Sequence, residues 1–261
     1  MEYSIITGAC GGLGKVFVTS LYEKKKNLIL LGRDIKRLEL LKSKIYKDGF
    51  GDVKCFQVDI SNKDEVVNLF TLLEKERIKI DGLYYVAGVD IQKPFIEYTY
   101  DKIVMQARVV YEGALLFTNF ALKNKANLLK ILVVSSACGF CPMPYFSEYA
   151  SLKGALISFY KGLKCEVDKK QVKISVVCPS SVPTRQDIRE DIIKQGFTAK
   201  LLQKSPKYVV DKSLKGLNKN KTLIIPGFFN KVVYFFNKIT PKCIRNKIII
   251  KKFKNKQKDA F

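Results

Sequence analysis

The chain has 261 residues, of which 47 are Lys or Arg, 24 are Asp or Glu and none is His, for a formal net charge of +23 at pH 7. Without imidazole it can build neither a Ser-His-Asp triad, nor a Cys-His protease pair, nor a His-ligated metal site, and no metal is expected. At 47% apolar residues the chain is not disordered and can bury one sizeable core, and its 7 scattered Cys, an odd number, do not read as a secreted disulfide framework; they favour a reducing, cytoplasmic compartment.

In chain order, strands are expected at Tyr3–Thr7, Leu28–Leu31, Val53–Val58, Gly82–Ala87, Leu128–Ser135, Val172–Cys178 and Thr222–Pro226. Amphipathic helices are expected between them at Leu13–Lys24, Ile35–Tyr46, Lys63–Arg77, Tyr100–Lys123, Glu148–Val167 and Pro206–Leu217. Strands alternating with helices of this length build βαβ units, so the expected fold is α/β: a Rossmann-type, doubly wound seven-stranded parallel sheet with helices on both faces. One domain is expected over 1–227, followed by a basic amphipathic tail, 228–261. The most apolar stretch, Leu223–Ile239, is interrupted by Pro226, Gly227, Asn230, Lys231, Asn237 and Lys238, so no membrane span is expected. The first strand begins at once, and no signal peptide is expected.

Directly after the first strand comes Thr7-Gly8-Ala9-Cys10-Gly11-Gly12-Leu13-Gly14. Glycines there permit a tight turn into a helix whose N-terminal amides favour a pyrophosphate. Thr7, Gly8, Gly12 and Gly14 match TGxxxGxG, and with them the chain resembles the short-chain dehydrogenases/reductases through about Gly227. The resemblance implies that Thr7, Gly8, Gly12, Leu13 and Gly14 hold a nicotinamide dinucleotide. NAD-preferring relatives carry an acid at the position of Gly32; here Gly32 is followed by Arg33, suited to a 2′-phosphate, so NADP(H) is expected and NAD(H) is the second candidate. Asp59 and Ile60 correspond to the family's adenine-contacting pair, and Ala87 and Gly88 to its segment after strand four.

Ser136, then Tyr149 thirteen residues on, then Lys153 stand at the family's catalytic spacing. Tyr149 and Lys153, at i and i+4, share a helical face, and an ammonium beside a phenol of ordinary pKa ~10 favours phenolate. Tyr149 is the expected general acid, Ser136 the group that positions the substrate oxygen, and Lys153 the charge tuner and ribose contact. Pro179 to Thr184 resembles the family's PGxVxT segment beside the nicotinamide, with Val182 and Thr184 matching and Ser180 in place of Gly. Arg185 to Gln203 falls at the family's substrate lid and carries Ile188, Ile192, Ile193, Phe197, Leu201 and Leu202, a face suited to a hydrophobic ketone, aldehyde or alcohol. Two positions depart from the family: Val86 replaces the Asn of NAG, and Val110 the Asn of NxxG. They motivate the alternative of an NADP(H)-binding sensor or scaffold with little turnover. Cys138-Gly139-Phe140-Cys141 is a CxxC without further metal ligands nearby and reads as loop packing.

The segment 194–261 holds 18 basic and 2 acidic residues, a balance of +16 against +7 for 1–193. Within it Phe228, Phe229, Val232, Val233, Phe235, Phe236 and Ile239 form an apolar helical stripe. One reading folds this helix over the substrate cleft or into a subunit contact, with a frayed cationic end; the other lays it in the plane of an anionic membrane, making the protein peripheral there. Nucleic acid is disfavoured, because the final segment lacks interleaved stacking aromatics. A homo-oligomer, dimer or tetramer, is expected from the family resemblance.

Overall fold

The structure, a computed structural model, describes residues 1–184, 188 and 201–253. Among them, seven strands and their helices follow in the order β1 (Glu2–Thr7), α1 (Gly12–Tyr22), β2 (Leu28–Gly32), α2 (Ile35–Ile45), β3 (Val53–Gln57), α3 (Lys63–Lys75), β4 (Lys79–Tyr85), α4 (Tyr100–Ala107), α5 (Gly113–Lys123), β5 (Lys125–Val134), α6 (Ser147–Glu166), β6 (Val172–Val177), α7 (Pro206–Asn218) and β7 (Leu223–Ile224). All pairings are parallel, in the order β3-β2-β1-β4-β5-β6-β7.

The near-continuous apolar runs of these strands follow from burial on both faces. Ile5, Ile131, Val133, Ile174 and Val176 pack beneath α3, α5 and α6. Their neighbours Ile6, Leu132, Val134 and Val177 point the other way, beneath α1, α2 and α7. Each fully buried aliphatic side chain contributes about 1.5–3 kcal/mol of transfer free energy, so both helical layers are held by the sheet. The expected doubly wound sheet is the one observed.

Strand order reverses between β1 and β4, which opens a crevice at the carboxyl ends of the strands. Most helix starts around it carry side-chain caps: Asp34 accepts from the Arg37 amide, Asn62 from Asp64 and Glu65, and Thr99 from Lys102. Helix α1 differs. Its cap is Gly11, with no side-chain hydrogen bond and no acid in the first turn.

Three departures from the sequence expectation have physical causes. Strand β4 starts ahead of Gly82 because Ile80 already pairs with Lys125, before a register shift at Gly82. The helix expected over 100–123 is interrupted by a π turn, Arg108–Glu112, in which Val110 is buried and the Tyr85 hydroxyl donates to the Val109 carbonyl at 2.7 Å. The tail forms two helices, α8 (Phe228–Ile239) and α9 (Lys242–Phe253), so the chain after Ile239 continues as helix through Phe253 instead of fraying there. The expected lid lies mostly outside the described residues, Ile192, Ile193 and Phe197 included, as do residues 254–261. No helix among the described residues is long and apolar enough to cross a membrane.

Candidate active site

A cavity of about 1300 Å³ runs along the carboxyl ends of β1, β4, β5 and β6. Of the residues singled out by sequence, Gly8, Gly12, Leu13, Gly14, Arg33, Asp59, Ile60, Ala87, Gly88, Ser136, Tyr149, Lys153, Val182 and Thr184 line it. Thr7 does not. It is fully buried, and its Oγ1 accepts from the Val86 and Ala87 amides at 3.0 and 3.1 Å, tying the end of β1 to the segment after β4. That bond braces the place where the family's asparagine is missing.

At one end the turn after β1 closes against the segment after β6, because Gly12 presents only hydrogen to the Thr184 side chain; a Cβ there would overlap it. Arg33, directly after β2, lines the cavity too, as do Arg37 and Lys15. Arg37 and Lys15 were not singled out by sequence, although Arg37 stands at i+4 from Arg33. Their charges pull the Cys10 thiol down against the dominant effect of burial, which leaves it above the ordinary thiol range. Asp34 between them is engaged in capping α2 through the Arg37 amide at 3.1 Å.

At the centre, α6 carries Tyr149 and Lys153 to the end of β5. Lys153 is 3% exposed, and its Nζ donates to the Val134 carbonyl at 2.8 Å and lies 5.5 Å from the Tyr149 ring centroid. Burial pulls the ammonium down to about 8, with Cys178 and Asp90 opposing the shift. Asp90 also lines the cavity and had no family spacing to mark it. The Lys153 carbonyl accepts from Ser135 Oγ at 2.8 Å, so β5 grips α6 from two sides. Ser136 starts the single turn Ala137–Phe140, its Oγ accepting from the Cys138 amide at 3.2 Å. That turn approaches α6 closely because a Cβ on Gly139 would stand 2.7 Å from the Lys153 carbonyl carbon. The Phe146 ring stacks on Tyr149 with centroids 4.4 Å apart. Cys138 and Cys141 line the cavity wall without a disulfide between them, and Cys141 Sγ lies 3.9 Å from Met143 Sδ. Glu148, beside Tyr149, has both carboxylate oxygens sequestered without a hydrogen-bond partner among the described residues, and burial pushes it up to about 7.

At the far end the wall belongs partly to the tail and is mostly apolar: Val233 and Phe236 of α8 and Ile248, Ile249 and Phe253 of α9 line it, together with Asn237, Thr240 and Arg245. Ile249 and Phe253 pack against the cluster of Met143, Phe146 and Ala150, next to Tyr149.

The family model for short chain dehydrogenases matches residues 2–192. The chain belongs to the short-chain dehydrogenase/reductase family. Dehydrogenase/reductase SDR family member 7B of Danio rerio is 30% identical over 193 residues, which are 70% of this chain and 62% of that relative, so the match spans under two thirds of the relative's length. Among solved structures, a 7beta-hydroxysteroid dehydrogenase superposes with a TM-score of 0.83 at 20% identity, over 95% of this chain and 96% of its own. A short-chain dehydrogenase from Sphingobium yanoikuyae in complex with NADPH superposes with a TM-score of 0.75 at 19% identity, over the full length of both.

The family's nicotinamide dinucleotide fits this wall. The uncapped, acid-free N-terminus of α1 leaves amide donors and the positive end of a helix dipole for a pyrophosphate, and Arg33, Arg37 and Lys15 add cations to the same wall.

Proposed function

We propose that the chain is an NADP(H)-dependent oxidoreductase acting on an apolar ketone or aldehyde, or on the corresponding alcohol. The observation that carries this reading is the continuity of the cavity: a cation-lined end, the Tyr149–Lys153 pair and an apolar end share one volume. When bound, the reduced nicotinamide would supply hydride to the carbonyl carbon. The turn Gly8–Gly14 would hold the pyrophosphate, Asp59 and Ile60 the adenine, and Ala87, Gly88, Val182 and Thr184 the nicotinamide half. Arg33 and Arg37 favour a 2′-phosphate, because Gly32 offers no carboxylate to ribose hydroxyls and Asp34 is occupied as a cap.

Ser136 holds the carbonyl oxygen by a hydrogen bond. Tyr149 gives its phenolic proton to that oxygen, and Lys153, beside it, stabilises the phenolate left behind. Val233 and Phe236 of α8 and Ile248, Ile249 and Phe253 of α9, the apolar tail residues that line the cavity, exclude water from the same volume, which strengthens these electrostatic interactions. In this reading 1–227 is the NADP-binding domain, and 228–261 is a tail that contacts anionic membrane at the cytoplasmic side and adds residues between Val233 and Phe253 to the substrate wall. A homo-oligomer is included; the exposed apolar residues Phe95, Ile96, Tyr100 and Val104 offer it a contact face.

The test is NADPH oxidation followed by absorbance across a panel of aliphatic and aromatic ketones and aldehydes. Tyr149→Phe should lower kcat by roughly 10²–10⁴-fold while NADPH affinity is retained. Turnover that survives this substitution would remove Tyr149 from its role, and tight NADPH binding with no turnover on the panel would favour the sensor role instead.

A further inference from the structure

We propose that α8 and α9 form an interfacial docking element that seats the mouth of the cavity on an anionic lipid surface, so that an apolar substrate enters from the bilayer. The entry step rests on the reading of an apolar carbonyl substrate; the docking step does not.

The orientation of α8 is the first observation. Phe228, Phe235 and Ile239 lie on one stripe and are 73%, 61% and 60% exposed, while Asn230 is turned inward at 4%. The Asn230 amide donates to the Pro226 and Leu202 carbonyls at 2.6 and 3.1 Å, and the Tyr234 ring meets Phe140 at 4.3 Å between centroids. A helix meeting water along its outer side would show the reverse, polar face out and phenylalanines in. The inward polar contacts fix this orientation.

Helix α9 also leaves apolar side chains exposed, although it turns apolar ones inward as well. Its inner side chains Ile249 and Phe253 pack near Tyr149, while Ile244 and Ile248 remain 51% and 61% exposed beside the exposed Lys247 and Lys251. Lys231 flanks the α8 stripe and is exposed too. Such lysines extend from an apolar face toward headgroups.

Charge decides between occupants. From Lys212 to Lys258 the sequence contains no Asp or Glu. A second copy docked symmetrically here would set lysines against lysines with no carboxylate in the patch to meet them. A nucleic acid would neutralise the lysines but leave the Phe and Ile side chains in water. An anionic bilayer answers both halves of the surface, acyl chains for the apolar stripe and headgroups for the cations. Val233, Phe236 and Ile248, neighbours of the exposed stripe on the same two helices, line the cavity, so the docked face adjoins the substrate wall.

The full-length chain is mixed with phosphatidylcholine vesicles, with and without phosphatidylglycerol, and sedimented. Each lysine near an anionic surface strengthens binding roughly fivefold, so Lys231, Lys247 and Lys251 together give roughly a hundredfold preference for the mixed vesicles at low salt, reduced at high salt. The triple substitution Phe228→Ser, Phe235→Ser and Ile239→Ser, outside the cavity wall, should abolish sedimentation while NADPH binding by fluorescence stays unchanged. Turnover of a long-chain ketone carried in the vesicles should fall at least about tenfold in that variant, with turnover of a water-soluble aldehyde unaffected. Wild-type protein left in the supernatant, equal binding to neutral vesicles, or a vesicle-free dimer that the triple substitution dissociates overturns docking. Vesicle binding without turnover of any carbonyl overturns substrate entry and the proposed reaction but upholds docking; turnover of the soluble aldehyde without vesicle binding overturns docking alone.

Discussion

Glu148 is the side chain in this site whose environment contradicts its chemistry. A carboxylate with neither oxygen paired is disfavoured as the ion, and burial accordingly pushes its pKa up to about 7. The sign for stability follows. Below about pH 4 the folded and unfolded chains both hold the proton, and the group costs nothing. Between about pH 4 and 7 the unfolded chain ionises while the folded one does not, so stability is lost as pH rises, and the loss is complete above 7. Glu148→Gln keeps the shape and removes the titration. Thermal melts should show it raising Tm by about 2–4 °C near pH 8 and leaving it unchanged near pH 4. An equal shift at both pH values would mean that the glutamine changes packing and not ionisation. Spacing marked Tyr149 and Lys153, because i and i+4 fix a shared face whatever surrounds them. It could not mark Glu148, Asp90 or Arg37, whose relevance depends on what lies opposite them in space.

At the scale of elements, the alternation of β1 through β7 with its helices was legible because burial on both faces leaves long apolar runs that only a covered parallel sheet can use. The brace between β1 and β4 was not. Val86 stands where the family has an asparagine, and the segment is braced by Thr7, whose hydroxyl accepts from two main-chain N–H groups, an interaction with no side-chain pattern to betray it. Thr7→Val is nearly isosteric and leaves both amides without that acceptor. It should cost about 1–3 kcal/mol, seen as a lower urea midpoint at unchanged m-value. A midpoint equal to wild type would show that the two amides find another acceptor. The π turn escaped for a similar reason: 100–123 has continuous helical periodicity, and the interruption at Arg108–Glu112 coincides with a tertiary bond from Tyr85. The tail stripe, by contrast, was visible as periodicity, although its outward direction depends on where Asn230 and Tyr234 attach.

For the molecule as a whole, a net charge of +23 acts in two opposite directions. Like charges repel within the folded chain, so screening them stabilises it; a cationic surface draws in an anionic dinucleotide, so screening slows the encounter. The Debye length falls from about 30 Å at 0.01 M salt to about 8 Å at physiological strength, which removes most of the long-range part of both effects. Adding sodium chloride over this range should therefore raise Tm and lower the association rate of NADPH measured by stopped-flow fluorescence. The two trends have separate sources. Most of the excess charge lies in 194–261 and bears on repulsion, whereas Arg33, Arg37 and Lys15 line the cofactor end itself. Arg33→Gln with Arg37→Gln should then flatten the salt dependence of NADPH association while leaving the salt dependence of Tm almost intact. If both dependences flatten together, the charges that steer the cofactor are the ones that strain the fold; if neither changes, steering comes from the tail.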